Sequence, residues 1–482
     1  MTVGESFVKY SLPPEVERRE RALGRFAARF AQGLPGDLRG IAFCGPASFR
    51  DPEADDIWHP GVMRGGFSSL LRDQFPRLIL SFFGGIRRFV LKRFGRFILI
   101  RKQHSETLAV APLQLCKLKQ GSVETSYCHP DDLDSMSWLL IDDTLSDPAG
   151  YPLGRSNFLC RYFMLLIHCL RVFSLRRENE QWKDWTVGFL LTVRWIMGMV
   201  WVNKWMLSLK IRSILEKTQP DKVFCVHEMH PHSRIVWLES RRLNITSVTI
   251  QHASITRAKL WYFPTPEELL AGMAVPDTFC VFSTGVRNLF EQFFPKGVRY
   301  PLTCGPRFSR WKGMVGESFS VSSSHQPILF AGSLPWWDNV VVLKAVLKLV
   351  IQENIILPIQ VRLHPASDIP AIWKQRLDQL VVDNKVSISK GPLEEDLLKC
   401  GVAVGMNTTV LEEAALMGKG VIVVEDRDYL SFATQLGTHV PLGIFSWATV
   451  ESVIQESQER KEDIVRRGKE VLGIDHPVCR VN

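Results

Sequence analysis

The chain has 482 residues, of which 46% are hydrophobic and 23% charged. That is an ordinary globular composition, which excludes disordered, fibrous and linker-dominated classes, and the length suits two or three domains. A net charge of +9 favours an anionic partner, whether nucleotide, nucleic acid or membrane.

The ten cysteines are scattered and form no C-x-x-C pair. They read as reduced thiols, neither a disulfide framework nor a zinc site. Residues 1–30 carry charges throughout and contain no apolar stretch of a secretory signal. The expected location is therefore the cytosol.

Residues 1–150 read as irregular. Between Asp73 and Glu106 there is no acidic residue, whereas eight are basic. Arg88, Lys92 and Arg96 recur at i, i+4, which predicts one basic helical face. Ile79, Phe83, Ile86, Val90, Phe94 and Phe97 recur at three or four residues, which predicts an apolar one. A basic amphipathic helix of this kind suits the anionic inner-leaflet surface of a membrane. Packing on its own domain is the alternative. No nucleic-acid-binding fold is visible, so no nucleic acid is expected.

Residues 151–215 read as helical, apolar and rich in tryptophan. Within Trp185–Val202, an 18-residue run, the only charge is Arg194. That length sits at the threshold for a spanning helix, but a central arginine costs about 2.5–3.5 kcal/mol on insertion. A buried or monolayer-lying helix is expected instead. Leu159–Phe173, with Arg161 and Arg171, is a second amphipathic candidate.

From Lys222 onward, short apolar strands alternate with helices. Strands are predicted over Lys222–Glu228, Thr246–His252, Asp277–Ser283 and Arg299–Gly305, with helices over Pro231–Asn244 and Gly285–Phe294. The polar stretch Gly313–Gln326 reads as a linker. The rhythm then restarts. Strands are predicted over Pro327–Ser333, Pro358–His364, Val386–Ser389, Val402–Met406 and Val421–Glu425. Helices are predicted over Val340–Glu353, Ile369–Val382, Leu393–Cys400 and Thr409–Met417. A final helix capped by Ser446 runs to about Val471.

Such alternation implies βαβ units and parallel sheets. The expected fold is α/β, with two doubly wound Rossmann-like domains facing a cleft. The expected division is 1–312, with a helical apolar insertion over about 151–215, then 327–445, then a helix and tail over 446–482. Ligands in such sheets bind beyond the carboxyl ends of the strands.

Those strand ends carry the candidate chemistry. His364, followed by Pro365, can donate a hydrogen bond to a phosphate, and Arg362 adds charge. Gly405-Met406-Asn407-Thr408-Thr409 joins a strand to a helix, and would offer backbone N–H groups and hydroxyls to an anion. Ordinary helix capping explains the same residues. Glu412 and Glu413 follow in the first helical turn, where they complement the dipole or accept from a ribose diol. Ser333 sits at the first strand end of the same domain. Together these pieces outline a nucleotide mono- or diphosphate pocket.

In the first unit, Glu228 and His252 end neighbouring strands. Glu228 is a candidate general base or charge stabiliser, and His252 a candidate for polarising an acceptor or phosphate. Each also has a structural reading, as a cap and as a hydrogen-bonded histidine. His227, His230 and His232 lack a partner set for zinc, and Asp426-Arg427-Asp428 reads as a loop more than a magnesium site. No metal is expected.

His364-Pro365, followed by Gly405–Thr409, Glu412-Glu413-Ala414-Ala415 and Gly418, resembles the nucleotide-binding half of GT-B glycosyltransferases. The nearest resemblance is to bacterial surface-carbohydrate enzymes with a His-Pro motif and a downstream Ser/Thr pair. These are β-Kdo transferases of capsule synthesis, bacterial sialyl- and polysialyltransferases, and teichoic-acid glycerophosphotransferases. Glu228, the helix Ser233–Arg242 and the run Thr249–Ser254 resemble a group of surface carbohydrate biosynthesis proteins.

The resemblance covers roughly Lys222 to Glu425. It implies that His364, Thr408 and Thr409 bind the phosphate of a nucleotide sugar, and that Glu412, or else Glu413, holds the ribose. It also implies that no bound metal or cofactor is needed, the nucleotide sugar being the donor substrate. Thr-Thr stands here where Ser-Ser is commoner, and no acid-rich catalytic motif of the sialyltransferases is visible.

The expected function is a glycosyltransferase acting on a lipid-linked or growing surface-glycan acceptor, peripheral on the inner membrane face. A UDP-N-acetylglucosamine 2-epimerase-like enzyme and a non-catalytic scaffold of the same fold are the rivals.

Overall fold

The computed structural model describes residues 12–43, 76–80, 83, 96–101, 105–113, 116–119, 122–125, 133, 135–142, 155–176, 181–198, 200–226, 228, 231–253, 255–293, 297–313, 315, 326–352, 358–364, 367, 369–427, 429 and 436–478. Arg88, Lys92 and Pro365, together with His227, His230 and Asp428, lie outside these residues.

The chain begins with helices α1 (Pro14–Gln32) and α2 (Gly36–Ala42). Strands β1 (Arg96–Ile100), β2 (Thr107–Pro112), β3 (Lys117–Lys119), β4 (Ser122–Glu124) and β5 (Ser137–Asp142) follow. Three long helices come next: α3 (Arg155–Ser174), α4 (Trp182–Met197) and α5 (Val200–Thr218). Then come β6 (Lys222–Cys225), α6 (Pro231–Arg242), β7 (Thr246–Ile250), α7 (Pro266–Leu270), β8 (Thr278–Cys280), α8 (Thr284–Phe293) and the short α9 (Pro306–Ser309).

These strands form a six-stranded sheet in the order β1-β5-β2-β6-β7-β8, while β3 and β4 pair apart. All its pairs are parallel except β1 with β5. Half of the sheet thus comes from the region whose sequence reads as irregular. Arg96 opens β1, with Phe97 opposite Ile141. The predicted basic helix therefore does not run through Arg96. Ile79 and Phe83 are exposed. The predicted strand Arg299–Gly305 is reduced to isolated bridges from Arg299 to Thr278 and from Leu302 to Val281.

The second sheet is wholly parallel, in the order β11-β10-β9-β12-β13-β14. Its elements in chain order are β9 (Ile328–Ala331), α10 (Trp336–Leu347), β10 (Ile359–Arg362), α11 (Ala371–Val382), β11 (Ser387–Ile388) and α12 (Leu393–Lys399). They continue with β12 (Val402–Gly405), α13 (Val410–Leu416), β13 (Gly420–Glu425), β14 (Thr438–Pro441), α14 (Trp447–Glu459) and α15 (Lys461–Leu472). Strands β9, β12 and most of β13 are buried, as a parallel sheet covered on both faces requires. Ser446 caps α14 by accepting from Thr449 N at 3.4 Å. Arg460 then breaks the predicted final helix into two.

The apolar run around Trp185 is core. Trp185, Trp195 and Trp201 are buried in the first domain. Asp184, at the start of α4, is buried between Arg18 and Arg19 of α1 at 2.8 and 2.9 Å. Burial lowers the Arg19 pKa, and Asp184 opposes that shift. Among the described residues no single helix is long and apolar enough to cross a membrane.

Among the described residues, shared cores and the C-terminal tail join the two domains. Leu12, Val16 and Leu23 of the N-terminal segment share a core with Phe330 and Trp337 of the second domain. Phe308 and Trp311, just past the first sheet, share another with Leu411 and Leu416. The tail after α15 returns to the first domain, where Cys304 N donates to Pro477 O at 2.9 Å. Gly473 makes that turn with φ +65, and a Cβ there would lie 2.4 Å from Phe282 O. Two doubly wound domains with a C-terminal return are the architecture expected of a GT-B fold.

Candidate functional site

Strands β6 and β7 are parallel neighbours, with Cys225 opposite Thr249. Their carboxyl ends therefore emerge side by side, which brings together two residues 24 apart in sequence. Glu228 is fully buried. Its Oε1 accepts from His252 N at 3.0 Å and from the Tyr262 hydroxyl at 2.5 Å. Its Oε2 pairs with His252 Nδ1. A carboxylate in this position holds the imidazole proton on Nδ1 and leaves the lone pair on Nε2. His252 itself is 20% exposed. Glu228 thus orients the imidazole, and its burial removes it as a base that meets substrate directly.

Gln251 fixes the loop from both ends. Its Nε2 donates to Ala253 O at 2.8 Å, and its Oε1 accepts from Phe282 N at 2.9 Å. His252 is therefore held by its own backbone, by its ring and by the residue before it.

Arg307 connects this pair to the second domain. Its Nη1 donates to His252 O at 3.4 Å. Its Nη2 lies 3.2 Å from Thr409 Oγ1 and 3.1 Å from Glu413 Oε1. Trp311 Nε1 donates to the other oxygen of Glu413 at 3.1 Å. Glu413 is buried and committed to these two donors, which removes it as the ribose carboxylate. Glu412 beside it is also buried. His364 is half-buried, and its pKa falls below the ordinary 6.5 through burial first and the Arg307 charge second. At neutral pH its ring is uncharged and keeps one N–H to donate.

A buried polar knot shapes the loops beyond β9, β10 and β12. Asp338 and Asn339, both fully buried, sit in the first turn of α10. Asn339 Nδ2 donates to Ser333 O at 2.8 Å, Pro335 O at 2.9 Å and Ser367 Oγ at 2.6 Å. Asp338 Oδ2 accepts from Asn407 N at 2.9 Å. A Cβ on Gly332 would lie 1.8 Å from Asn339 Oδ1, so only glycine fits there. The Ser333 hydroxyl is buried with no hydrogen-bond partner among the described residues.

Of the residues predicted for the nucleotide, His364 and Thr409 gather around Arg307, while Ser333 and Asn407 gather on the knot. Thr408 Oγ1 accepts from Val410 N at 3.3 Å, which is local capping. Arg362 turns elsewhere. Its Nη1 donates to Asp396 Oδ2 at 2.7 Å, Gly391 O at 2.9 Å and Ser389 Oγ at 3.0 Å. Its charge is spent on Asp396, so it braces β10 and does not add cation to the site. Asp426 pairs with Lys344 at 2.9 Å. Among the described residues no group of three or more potential ligands can hold a metal.

Arg307, Tyr262, Trp311, Asp338 and Asn339 are the residues that sequence reasoning missed. The one signal for Arg307 was its place after Gly305-Pro306, where the chain leaves the first sheet.

No protein-family model matches the chain, and no curated protein does. Among solved structures, the chain is similar to the UDP-GlcNAc 2-epimerase of Neisseria meningitidis bound to UDP-GlcNAc. That likeness has 12% identity and a TM-score of 0.38, and covers 76% of this chain and 96% of that one. It is also similar to S. aureus MnaA in its UDP co-structure, at 13% identity and a TM-score of 0.35, over 56% of this chain and 72% of that one. A third is the MurG of Acinetobacter baumannii, at 12% identity and a TM-score of 0.32, over 56% and 73%.

Proposed function

We propose that this chain is a GT-B glycosyltransferase that moves a sugar from a nucleotide-activated donor to a lipid-linked or growing surface-glycan acceptor. The observation that carries the reading is the hydrogen-bonded path from Glu228 through His252 and Arg307 to Thr409. In this reading His252 is the oriented base, and the anion-binding groups of the second domain stand beyond Arg307 from it. The donor phosphates would lie against His364, Thr408, Thr409 and the backbone around Asn407, with the Ser333 hydroxyl available at the neighbouring strand end. Acceptors of this kind sit at the inner membrane face, where the enzyme would work.

In this reading, His252 Nε2 takes the proton of the acceptor hydroxyl as its oxygen attacks the anomeric carbon. The bond from that carbon to the phosphate oxygen breaks, and the nucleotide leaves with the electron pair. Glu228 stabilises the imidazolium that forms, as a buried carboxylate does for a catalytic histidine. The N–H of neutral His364 stabilises the departing phosphate.

The test is turnover of a nucleotide-sugar panel with and without glycan acceptors, with products resolved by NMR. Transfer abolished by His252→Ala supports the reading. Conversion of UDP-N-acetylglucosamine to its C2 epimer without acceptor would replace it with the epimerase. Binding with no turnover of any donor would favour the scaffold.

A further inference from the structure

We infer that the outer face of α3 is a docking surface for an anionic phospholipid bilayer. The inner face of this helix is accounted for. Leu165, Cys169 and Val172 are buried in the first core, with Tyr162, Leu166 and Phe173 packed against it. The opposite face should then be polar in a helix that borders water. Instead it carries Phe163, Ile167 and Leu170, exposed by 58%, 65% and 57%. Their spacing of four and three residues puts them in one stripe. Leu175 and Trp182, just past the helix, are exposed as well.

The charge around the stripe selects the occupant. Residues 155–182 contain five arginines against two acidic residues, Glu178 and Glu180. Arg171 is exposed. Arg176 lies over the exposed Trp182 ring at 5.3 Å, whereas Arg161 turns inward over the Trp205 ring at 4.4 Å. A second copy of the chain docking by the same face would set Arg171 and Arg176 against themselves. An anionic bilayer meets both requirements at once. Its acyl boundary takes Phe163, Ile167 and Leu170, and its headgroups take Arg171, Arg176 and the amphipathic Trp182. The proposed contact is peripheral: α4 and α5, the bent pair long and apolar enough together to span, bury Trp185, Trp195 and Trp201 in the first core.

This inference is independent of the nucleotide reading, since nucleotide affinity is measured in solution on the same protein. The experiment is flotation of the full chain with vesicles of phosphatidylglycerol and phosphatidylcholine, against phosphatidylcholine alone. The chain is expected to float with the anionic vesicles only, less so at high salt. Ile167→Ser with Leu170→Ser should weaken that binding by at least about tenfold, and Arg171→Gln by a smaller factor. Ile372→Ser, an exposed change on the other domain, should leave it intact. Circular dichroism checks that each variant is folded. The inference is overturned if no vesicle binds or if neutral vesicles bind equally well. It also fails if the stripe variants float undiminished, or if light scattering finds a dimer that they dissolve without any vesicle binding.

Discussion

Nη2 of Arg307 lies 3.2 Å from Oγ1 of Thr409, so a side chain leaving the first sheet touches the residue that opens a helix of the second. The same guanidinium reaches the His252 carbonyl and the buried Glu413 carboxylate. Domain placement and the proposed reacting groups are thereby tied to one cation.

Removing that cation takes away the ion pair that the buried Glu413 makes at 3.1 Å, while Trp311 Nε1 still donates to its other oxygen at 3.1 Å. Arg307→Ala should cost about 3 kcal/mol of stability, since it breaks an ion pair to a fully buried carboxylate. Arg307→Met combined with Glu413→Gln should recover most of it. Urea unfolding of the three proteins checks this. A single variant within about 0.5 kcal/mol of the parent would mean that Glu413 has relaxed to another donor.

Glu228→Gln keeps the shape beside His252 but removes the charge that fixes its proton. Turnover should fall by about 10²–10⁴-fold with nucleotide affinity unchanged. Tyr262→Phe removes one of the donors to the same carboxylate, and should cost about 1 kcal/mol in stability with a smaller loss of rate. Steady-state kinetics on both variants separates kcat from KM. An unchanged kcat in Glu228→Gln would remove the dyad from the mechanism.

His364 binds a proton less readily in the folded chain than in the unfolded one. Its contribution to stability is therefore full above about pH 6.5 and declines as pH falls below that, where the unfolded chain protonates first. A bound phosphate reverses the preference by favouring the charged ring. Nucleotide affinity should thus rise as pH drops from 7 toward 5.5, by about three- to tenfold relative to His364→Ala. Calorimetric titration at three pH values checks it. Parallel pH dependence in the two proteins would place the phosphate away from His364.

Gly332→Ala forces a Cβ onto Asn339 Oδ1. The knot holding Ser333, Ser367 and, through Asp338, Asn407 must open. Nucleotide binding should fall by at least about tenfold, together with a loss of thermal stability. Asp184→Ala is the contrasting change. It strips the buried partner from Arg18 and Arg19, and should cost about 3–5 kcal/mol with nucleotide affinity retained. Equal effects of the two variants on binding would deny the knot a specific role.

The second domain was legible because its buried strands are short apolar runs bounded by turn residues and separated by helix-length segments. The first was half hidden. Thr107–Pro112 is buried throughout and carries no alternation to mark it as a strand. Arg96–Ile100 lies in a basic stretch whose apolar spacing mimics a helix. At the candidate site, Glu228, His252, His364 and Thr409 were picked out by their places at strand ends, His364 and Thr409 also by the resemblance. Their relationship was not, because it depends on β6 and β7 being neighbours and on Arg307, 102 residues from Thr409. Arg362 failed as a phosphate ligand for the same reason: Asp396, 34 residues away, is its partner.

The central claim is that the second domain holds a nucleotide at the ends of β9, β10 and β12. Its most direct test is equilibrium titration of the full chain with CMP, CDP, UDP and GDP, repeated on His364→Ala and Thr408→Ala. Selective binding of one base, weakened in both variants, is the predicted result. It would also narrow the donor, CMP pointing to Kdo or sialic acid and UDP to the common hexoses. Binding of none of the four, or binding untouched by either substitution, would contradict the account.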